Sequence, residues 1–322
     1  MSEVVGLEMR KAYATVVADL FREHPDEIFA LEADLSSAMA TGGLGQVMGD
    51  HYVNVGIMEA HMVSAAAGIN VSGGFAFVHS FGQFLARRAL DQIFVSLAYA
   101  QLSACLVGSD AGVTAEHNGG THMTFEDMGI VRVIPGVHVY EVCDPVQFAA
   151  VLRGAHARRG LTYVRTIRKL PARAIYPAGT DFGDAGARIL RAGTDVSLLA
   201  CGVEVAEALQ AADLLAAQGI SADVVDVFRI KPLDSGVILD SVRRTGAVVT
   251  AENHNVINGL GSAVAELLAE HQPTPLYRVG VRERFGQVGT TDWLMGDYGL
   301  TAADIAGAAA RTIARANNVN AR

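Results

Sequence analysis

The chain has 322 residues, of which 51% are hydrophobic and 18% charged, and its formal net charge is −9. That length suits two domains of ordinary size, and the apolar share can fill large cores. An acidic balance with no clustered run of Lys or Arg excludes a nucleic-acid binder, which needs a basic face. The small charged share points to an extensive subunit interface. Cys105, Cys143 and Cys201 lie in apolar sequence without CxxC spacing. Such a set fits a reducing cytoplasm better than a disulfide framework or a zinc site. Glu3 and Glu8 come early, with no basic stretch followed by an apolar one, so no secretory signal is expected.

Met9, Ala12, Val16, Val17, Leu20 and Phe21 recur at helical spacing over residues 7–24, and Pro25 ends that helix. Ile28–Asp34 reads as a short buried strand, followed by a Ser/Gly-rich loop to Gly45. Then come a strand at Tyr52–Val55, a helix at Glu59–Ile69, a strand at Gly74–Val78, a helix at Phe84–Leu97 and a strand at Ser103–Gly108. Val131–Ile134 and His138–Glu141 are expected as strands around the Pro135-Gly136 turn, before a helix at Pro145–Gly154 and a strand at Tyr163–Thr166. Pro171 to Ala187 holds two prolines and three glycines and reads as a linker.

A second alternation follows, with strands at Val196–Cys201, Ala222–Val227, Ala247–Glu252 and Leu276–Gly280. Helices are expected at Val205–Ala217, Asp234–Thr245, Gly259–His271 and Thr301–Ala316. Thr301-Ala-Ala-Asp304 has capping-box spacing with Asp in place of Glu, and the polar tail Asn317–Arg322 is expected to fray. Apolar strands alternating with helices imply parallel sheets covered on both faces. The uncharged span Ala60–Ala86 is long enough to cross a membrane. His61, Gly68, Asn70, Gly73, Gly74, His79 and Gln83 interrupt it, so no membrane helix is expected.

Glu59 opens an apolar, small-residue segment, and no Asp, Glu, Lys or Arg follows it until Arg87. A lone carboxylate entering such a run is costly to bury unless it is protonated, paired or used. The plain alternative is a Glu in the first turn of a helix, favoured there by the helix dipole. Its surroundings are His51-Tyr-Val-Asn-Val-Gly56 and the Gly-Ile-Met-Glu59 that follows; Phe77-Val-His-Ser-Phe-Gly-Gln-Phe-Leu-Ala-Arg-Arg-Ala-Leu-Asp-Gln92 and Asp110-Ala-Gly-Val-Thr-Ala-Glu-His-Asn-Gly-Gly-Thr-His122 come next. In order and rough spacing these resemble three segments of the transketolase superfamily: the thiamine-activating glutamate, the aromatic clamp on the pyrimidine, and the loop ending in Gly-x-Thr-His. Phe228-Arg-Ile-Lys-Pro-Leu233 and Glu252-Asn-His-Asn-Val-Ile-Asn-Gly-Leu-Gly261 resemble the family's C-terminal domain. The resemblance covers nearly the whole chain.

It implies two consecutive three-layer α/β domains: a pyrimidine-binding domain with a parallel sheet at 1–170, then, after the linker at 171–187, a C-terminal domain with a mostly parallel sheet at 188–322. It implies thiamine diphosphate as cofactor, with Glu59 catalytic at the pyrimidine nitrogen. Phe81 and Phe84 would wall the ring, with Ile57 and Arg88 also at the cofactor. The stretch before Asp91-Gln92 is one residue longer than in deoxyxylulose-phosphate synthase, which leaves Arg87 as the alternative to Arg88. By the same resemblance His122 faces the substrate and moves protons at a sugar hydroxyl, beside Asn118. Asn118 stands where transketolases commonly have Asp, and Asp110 where they tend to have His. Arg10 and Arg168 resemble the family's phosphate-binding arginines, and their planar forks suit a phosphate or a sulfonate. His79 is a further substrate-binding candidate, and His117 a secondary one. Glu252 and His254 read as structural or interfacial rather than catalytic.

The family holds Mg²⁺ and the diphosphate with a Gly-Asp-Gly…Asn motif that this sequence lacks. No metal ligand is therefore expected on this chain, and the Mg²⁺ site is expected on an N-terminal transketolase subunit. The expected assembly is α2β2 built on a self-associating β2 core. The expected reaction moves a two-carbon ketol unit from a ketose, with a phosphate as the first candidate, to an aldose, in the cytoplasm and without nucleic acid or membrane. The alternatives are the β subunit of a 2-oxo acid dehydrogenase, a deoxyxylulose-phosphate-synthase-like half, or a non-catalytic scaffold.

Overall fold

The computed structural model describes residues 4–169, 171 and 173–320. The expectations for Glu3, for Ala172 within the linker and for the last two residues of the tail lie outside the described residues. Contacts divide the chain into two units, Met1–Ala111 with Ile130–Phe182, and Gly112–Gly129 with Gly183–Arg322. The second unit thus includes a segment from the first half of the sequence.

The elements run α1 (Met9–Glu23), β1 (Ile28–Glu32), α2 (Ser36–Met39), α3 (Leu44–Met48), β2 (Tyr52–Asn54), α4 (Glu59–Val71), β3 (Phe75–Phe81), α5 (Leu90–Gln92) and β4 (Ala104–Ser109). They continue with α6 (Asp127–Arg132), β5 (His138–Glu141), α7 (Pro145–Arg158) and β6 (Leu161–Arg165). Next come β7 (Arg188–Arg191), β8 (Val196–Ala200), α8 (Glu204–Ala216), β9 (Ala222–Asp226), β10 (Arg229–Lys231), α9 (Ser235–Thr245) and β11 (Val248–Asn255). The last are α10 (Leu260–His271), β12 (Leu276–Val281), α11 (Thr291–Tyr298) and α12 (Ala302–Asn320).

Within the first unit the strand order is β5-β6-β4-β3-β1-β2, and each of these neighbouring pairs is parallel. Every residue of β3, β4 and β6 is buried, as expected of strands covered on both faces. α1 buries Met9, Ala12, Tyr13, Val16, Val17, Ala18 and Leu20, most of the face that its spacing predicts, while Phe21 is half-buried. The carboxyl ends of the strands carry Glu32, Phe81, Ser109, Glu141 and Arg165, and the buried Glu141 and Arg165 form an ion pair. In open α/β sheets ligands bind beyond these ends.

Two expectations for this half are corrected. Val131–Ile134 is not a strand: Val131 closes α6 with Arg132, and Met128, Val131 and Ile134 are buried at a spacing of three. Asp127 in the first turn favours that helix, and a short apolar run does not distinguish the two periods. Residues 84–97 are not a plain α-helix: Phe84–Arg88 and Ile93–Tyr99 are π-helical around α5. A π-turn takes one residue more than an α-turn.

The second unit has the order β12-β11-β8-β9-β7, parallel except for β7, which runs antiparallel to β9. The expected capping box holds: Thr301 N–H donates to Asp304 Oδ2 at 3.1 Å, and Asp304 N–H to Thr301 Oγ1 at 3.4 Å. β7, β10 and α11 lie where no element was expected; β7 and β10 are too short to show a period. Among the described residues no helix is long and apolar enough to cross a membrane.

Candidate active site

Glu59 is the first residue of α4 and is 1% exposed. Ser80, from β3, donates its hydroxyl to Glu59 Oε1 at 3.2 Å, and Arg88 donates from Nη1 to Oε2 at 2.6 Å. Of the two adjacent arginines, it is thus Arg88 whose guanidinium reaches the carboxylate. The π-turn that carries it also presents Phe84, whose ring centre lies 4.3 Å from the Arg88 guanidinium carbon. The Phe81 and Phe84 rings lie 5.9 Å apart at 32°. The Arg168 guanidinium carbon stands 5.1 Å from the Phe81 ring centre, and its Nε is paired with Asp110.

Arg10 sits beside Arg168, donating its main-chain N–H to the Arg168 carbonyl at 3.0 Å, while its side chain reaches Glu8 at 3.0 Å. One unit therefore links Glu59, Arg88, Phe84, Phe81 and Arg168 through successive side-chain contacts, with the main chain of Arg10 beside Arg168. Ile57, in the turn before α4, is 69% exposed. His79 lies apart from these contacts, fully buried beneath the strand ends. Its Nδ1 is 3.0 Å from Glu32 Oε2 and its Nε2 is 2.9 Å from Ser109 Oγ. Thr41 completes the Glu32 environment with a hydroxyl donated at 2.8 Å.

Asn118 and His122 belong to the second unit. Asn118 is exposed and His122 half-buried, with its Nδ1 2.9 Å from Thr121 Oγ1. Their segment is held by the C-terminal sheet and by the residues after it. Val113 N–H donates to Asn253 Oδ1 at 3.0 Å, Asn255 N–H to the Phe125 carbonyl at 2.8 Å, and the Thr291 hydroxyl to Glu116 Oε1 at 2.6 Å. A Cβ on Gly120 would lie 2.2 Å from the Gly286 carbonyl oxygen, so only glycine permits that approach. Glu116 has φ 49° and ψ −117°, a backbone state that a non-glycine residue keeps only where its surroundings impose it.

Glu252 caps α10, accepting from Leu260 N–H at 2.7 Å and Gly261 N–H at 2.8 Å, as a structural reading of that motif expects. Among the described residues no group of three or more His, Cys, Asp or Glu is placed to hold a metal. The cysteines are buried and form no disulfide, and burial pushes the Cys105 thiol up, away from nucleophilic chemistry.

The roles of Ser80, Asp110, Glu32, Ser109, Asn253 and Thr291 are not legible in the sequence alone. A polar Ser80 inside an apolar run is a usable signal. Thr291, 175 residues from Glu116, gives none.

A buried carboxylate can hold a ring nitrogen, and two offset phenyl rings can wall a flat heterocycle. The residues therefore suit the aminopyrimidine end of thiamine diphosphate. Fold and site define an α/β enzyme chain of the thiamine class. Residues 5–172 match the transketolase pyrimidine binding domain and residues 185–305 the transketolase C-terminal domain, so the chain belongs to the transketolase family.

The chain is 47% identical over 309 residues to a 6-deoxy-6-sulfo-D-fructose transketolase subunit of Clostridium sp. (strain MSTE9), covering 96% of this chain and 95% of the relative. It is 30% identical over 291 residues to an apulose-4-phosphate transketolase subunit of Phocaeicola vulgatus, covering 90% and 93%. A solved split-gene transketolase, described as an inactive β4 tetramer, superimposes with a TM-score of 0.89 at 36% identity, covering 96% of this chain and 99% of that one. The chain is a C-terminal subunit of a split, thiamine-diphosphate-dependent transketolase, a transferase that moves two-carbon ketol units between sugars.

Proposed function

We propose that this chain activates the cofactor through Glu59 and receives a ketose that ends in an anion, while a partner chain holds Mg²⁺ and the diphosphate. The observation that carries the reading is the buried Glu59 carboxylate at one end of a series of contacts that leads through Arg88, Phe84 and Phe81 to Arg168, with the main chain of Arg10 beside it. Bound thiamine diphosphate supplies a nucleophilic carbon whose activation depends on its aminopyrimidine. Glu59 hydrogen-bonds the pyrimidine nitrogen and holds the proton there. Arg88, whose side chain is 44% exposed, has solvent to swing into when the carboxylate changes partner. Phe81 and Phe84 wall the ring, a contact worth about 0.5–1.5 kcal/mol beyond burial. Ile57 covers the cofactor from the turn before α4.

His122 moves a proton to and from a substrate hydroxyl, and Asn118 hydrogen-bonds another. Arg10 and Arg168 bind the terminal anion. His79 supports the substrate end through Ser109. The name of the 47% identical relative makes 6-deoxy-6-sulfo-D-fructose the first donor to test, with fructose 6-phosphate as the alternative. The assembly is α2β2 on a β2 core, and buried cysteines that form no disulfide suit a cytoplasmic enzyme.

Isothermal titration of thiamine diphosphate and Mg²⁺ into this chain, alone and mixed with a transketolase N-terminal chain, tests the division of labour. Tight binding only in the mixture supports it, and tight Mg²⁺-dependent binding by this chain alone overturns it. Turnover of pyruvate in place of either ketose overturns the donor assignment.

A further inference from the structure

The second unit contains a cavity of about 300 Å³ where β12, α11 and α12 meet. None of the residues assigned above lines it. Its polar wall is made by Arg282, Arg284 and Arg311, with Tyr277, Tyr298 and Asp304. Arg282 and Arg284 follow β12 two residues apart, Arg311 comes from α12, and the three differ in how they are satisfied.

Arg284 is paired with Asp297. Arg282 donates to a main-chain oxygen, that of Arg278, at 2.6 Å, and neither Arg282 nor Arg311 has a carboxylate partner among the described residues. Arg278 also borders the cavity, but its Nη1 is spent on the Val256 carbonyl at 2.8 Å. Asp304 is committed to the start of α12, accepting the Thr301 hydroxyl at 2.5 Å. Acids are not scarce in this chain, with 34 Asp and Glu against 25 Lys and Arg, so two unpaired arginines at one cavity do not reflect a shortage of partners.

The tyrosines orient the cations. The guanidinium carbons of Arg282 and Arg311 lie 5.4 and 5.2 Å from the Tyr277 ring centre, and that of Arg284 lies 4.3 Å from the Tyr298 ring centre. A guanidinium stacked on an aromatic face keeps its in-plane N–H donors for a second partner.

We propose that this cavity is a binding site for a small organic anion bearing a terminal phosphate or sulfonate, with Arg282 and Arg311 as its principal ligands. Two forked cations at one concave site match the tetrahedral oxygens of such a group. The volume sits at the small end of the range for ligand pockets, roughly 300–1,000 Å³, which favours a metabolite over a macromolecular partner. The site is separate in sequence and in unit from Arg10 and Arg168.

Titration calorimetry on the full chain at constant ionic strength tests this, with fructose 6-phosphate and inorganic sulfate as probes. Saturable binding should persist in the Arg10→Gln/Arg168→Gln variant. It should weaken about tenfold or more in Arg282→Gln/Arg311→Gln. Arg282→Lys/Arg311→Lys, which keeps the charges and loses the forks, should fall between that variant and wild type. Binding that vanishes with Arg10 and Arg168 but survives loss of Arg282 and Arg311 overturns the proposal. So does the absence of saturable heat with either probe.

Discussion

Arg88 reaches Glu59 Oε2 over 2.6 Å from a side chain that stands 44% in solvent, while the carboxylate it holds is 1% exposed. The two partners are unequal. Glu59 has already lost its water, whereas Arg88 can return to solvent at small loss. The carboxylate is therefore satisfied in this state by a partner that can be displaced.

Removing that partner should be felt in stability. Arg88→Met leaves Glu59 buried with the Ser80 hydroxyl as its donor and should cost about 1–3 kcal/mol. Glu59→Gln/Arg88→Met should cost less than the sum of the single variants, with a coupling of about 0.5–3 kcal/mol. Urea unfolding of the four proteins measures it, and strict additivity would contradict the pairing.

Glu59→Gln keeps the shape of the side chain and removes its ability to hold a proton as an acid. In the reconstituted enzyme kcat should drop by about 10²–10⁴-fold, the usual range for a positioned acid or base. The far-ultraviolet circular dichroism should stay unchanged. Turnover at the wild-type rate would remove Glu59 from its role.

The Thr291 hydroxyl holds Glu116 at 2.6 Å, beside the strained turn that leads to Asn118 and His122. Thr291→Val should lower kcat/KM about tenfold, the loss expected for a hydrogen bond to a charged group. Thr291→Ser should restore it, because the hydroxyl returns without the methyl. Equal activity of Val and Ser variants would assign the position to packing alone.

Acid should weaken the join between α7 and the start of β1. Burial pushes the His156 imidazole below its ordinary range, although Glu27, 3.2 Å away, pulls it up. The folded state therefore prefers neutral His156, and below about pH 6.5 the unfolded chain binds more protons. This contribution is present above about pH 6.5 and is lost as pH falls through the lowered folded value. Burial also acts to raise Glu27, but its hydrogen bonds to Arg159 and His156 outweigh that and lower it, so its own loss comes at still lower pH. Melting temperature measured from pH 8 to pH 5 should fall less steeply in His156→Gln than in wild type. Identical slopes would exclude His156 as the source.

The parts of the fold legible in the sequence are those with a strong period and clear stops. α1, with its buried stripe and Pro25 after it, is one, and α12, with its Thr301–Asp304 box, is another. The run at Val131 misleads, because three apolar residues around Arg132 fit either period and Asp127 in the first turn favours the helix. Glu59, Phe81 and Phe84 stand out in sequence as chemistry-bearing types in order. The Asp110–Arg168 pair, 58 residues apart, and the Glu32–His79–Ser109 cluster depend on which strands become neighbours. Strand order is a property of the whole sheet, and no local pattern encodes it.

The segment at 112–129 also sets a timetable for synthesis. Val113 waits for Asn253, 140 residues further on, and Glu116 waits for Thr291, 175 residues further on. At about 5–20 residues per second on the ribosome, roughly 7–35 seconds separate the loop's emergence from the arrival of its bed. During that interval the first unit can assemble its sheet while the stretch carrying His122 has nothing of its own unit to rest on. A chain stalled or cut within residues 171–187 would then have the carboxylate that serves the cofactor in place and lack the anchors of the loop assigned to the sugar.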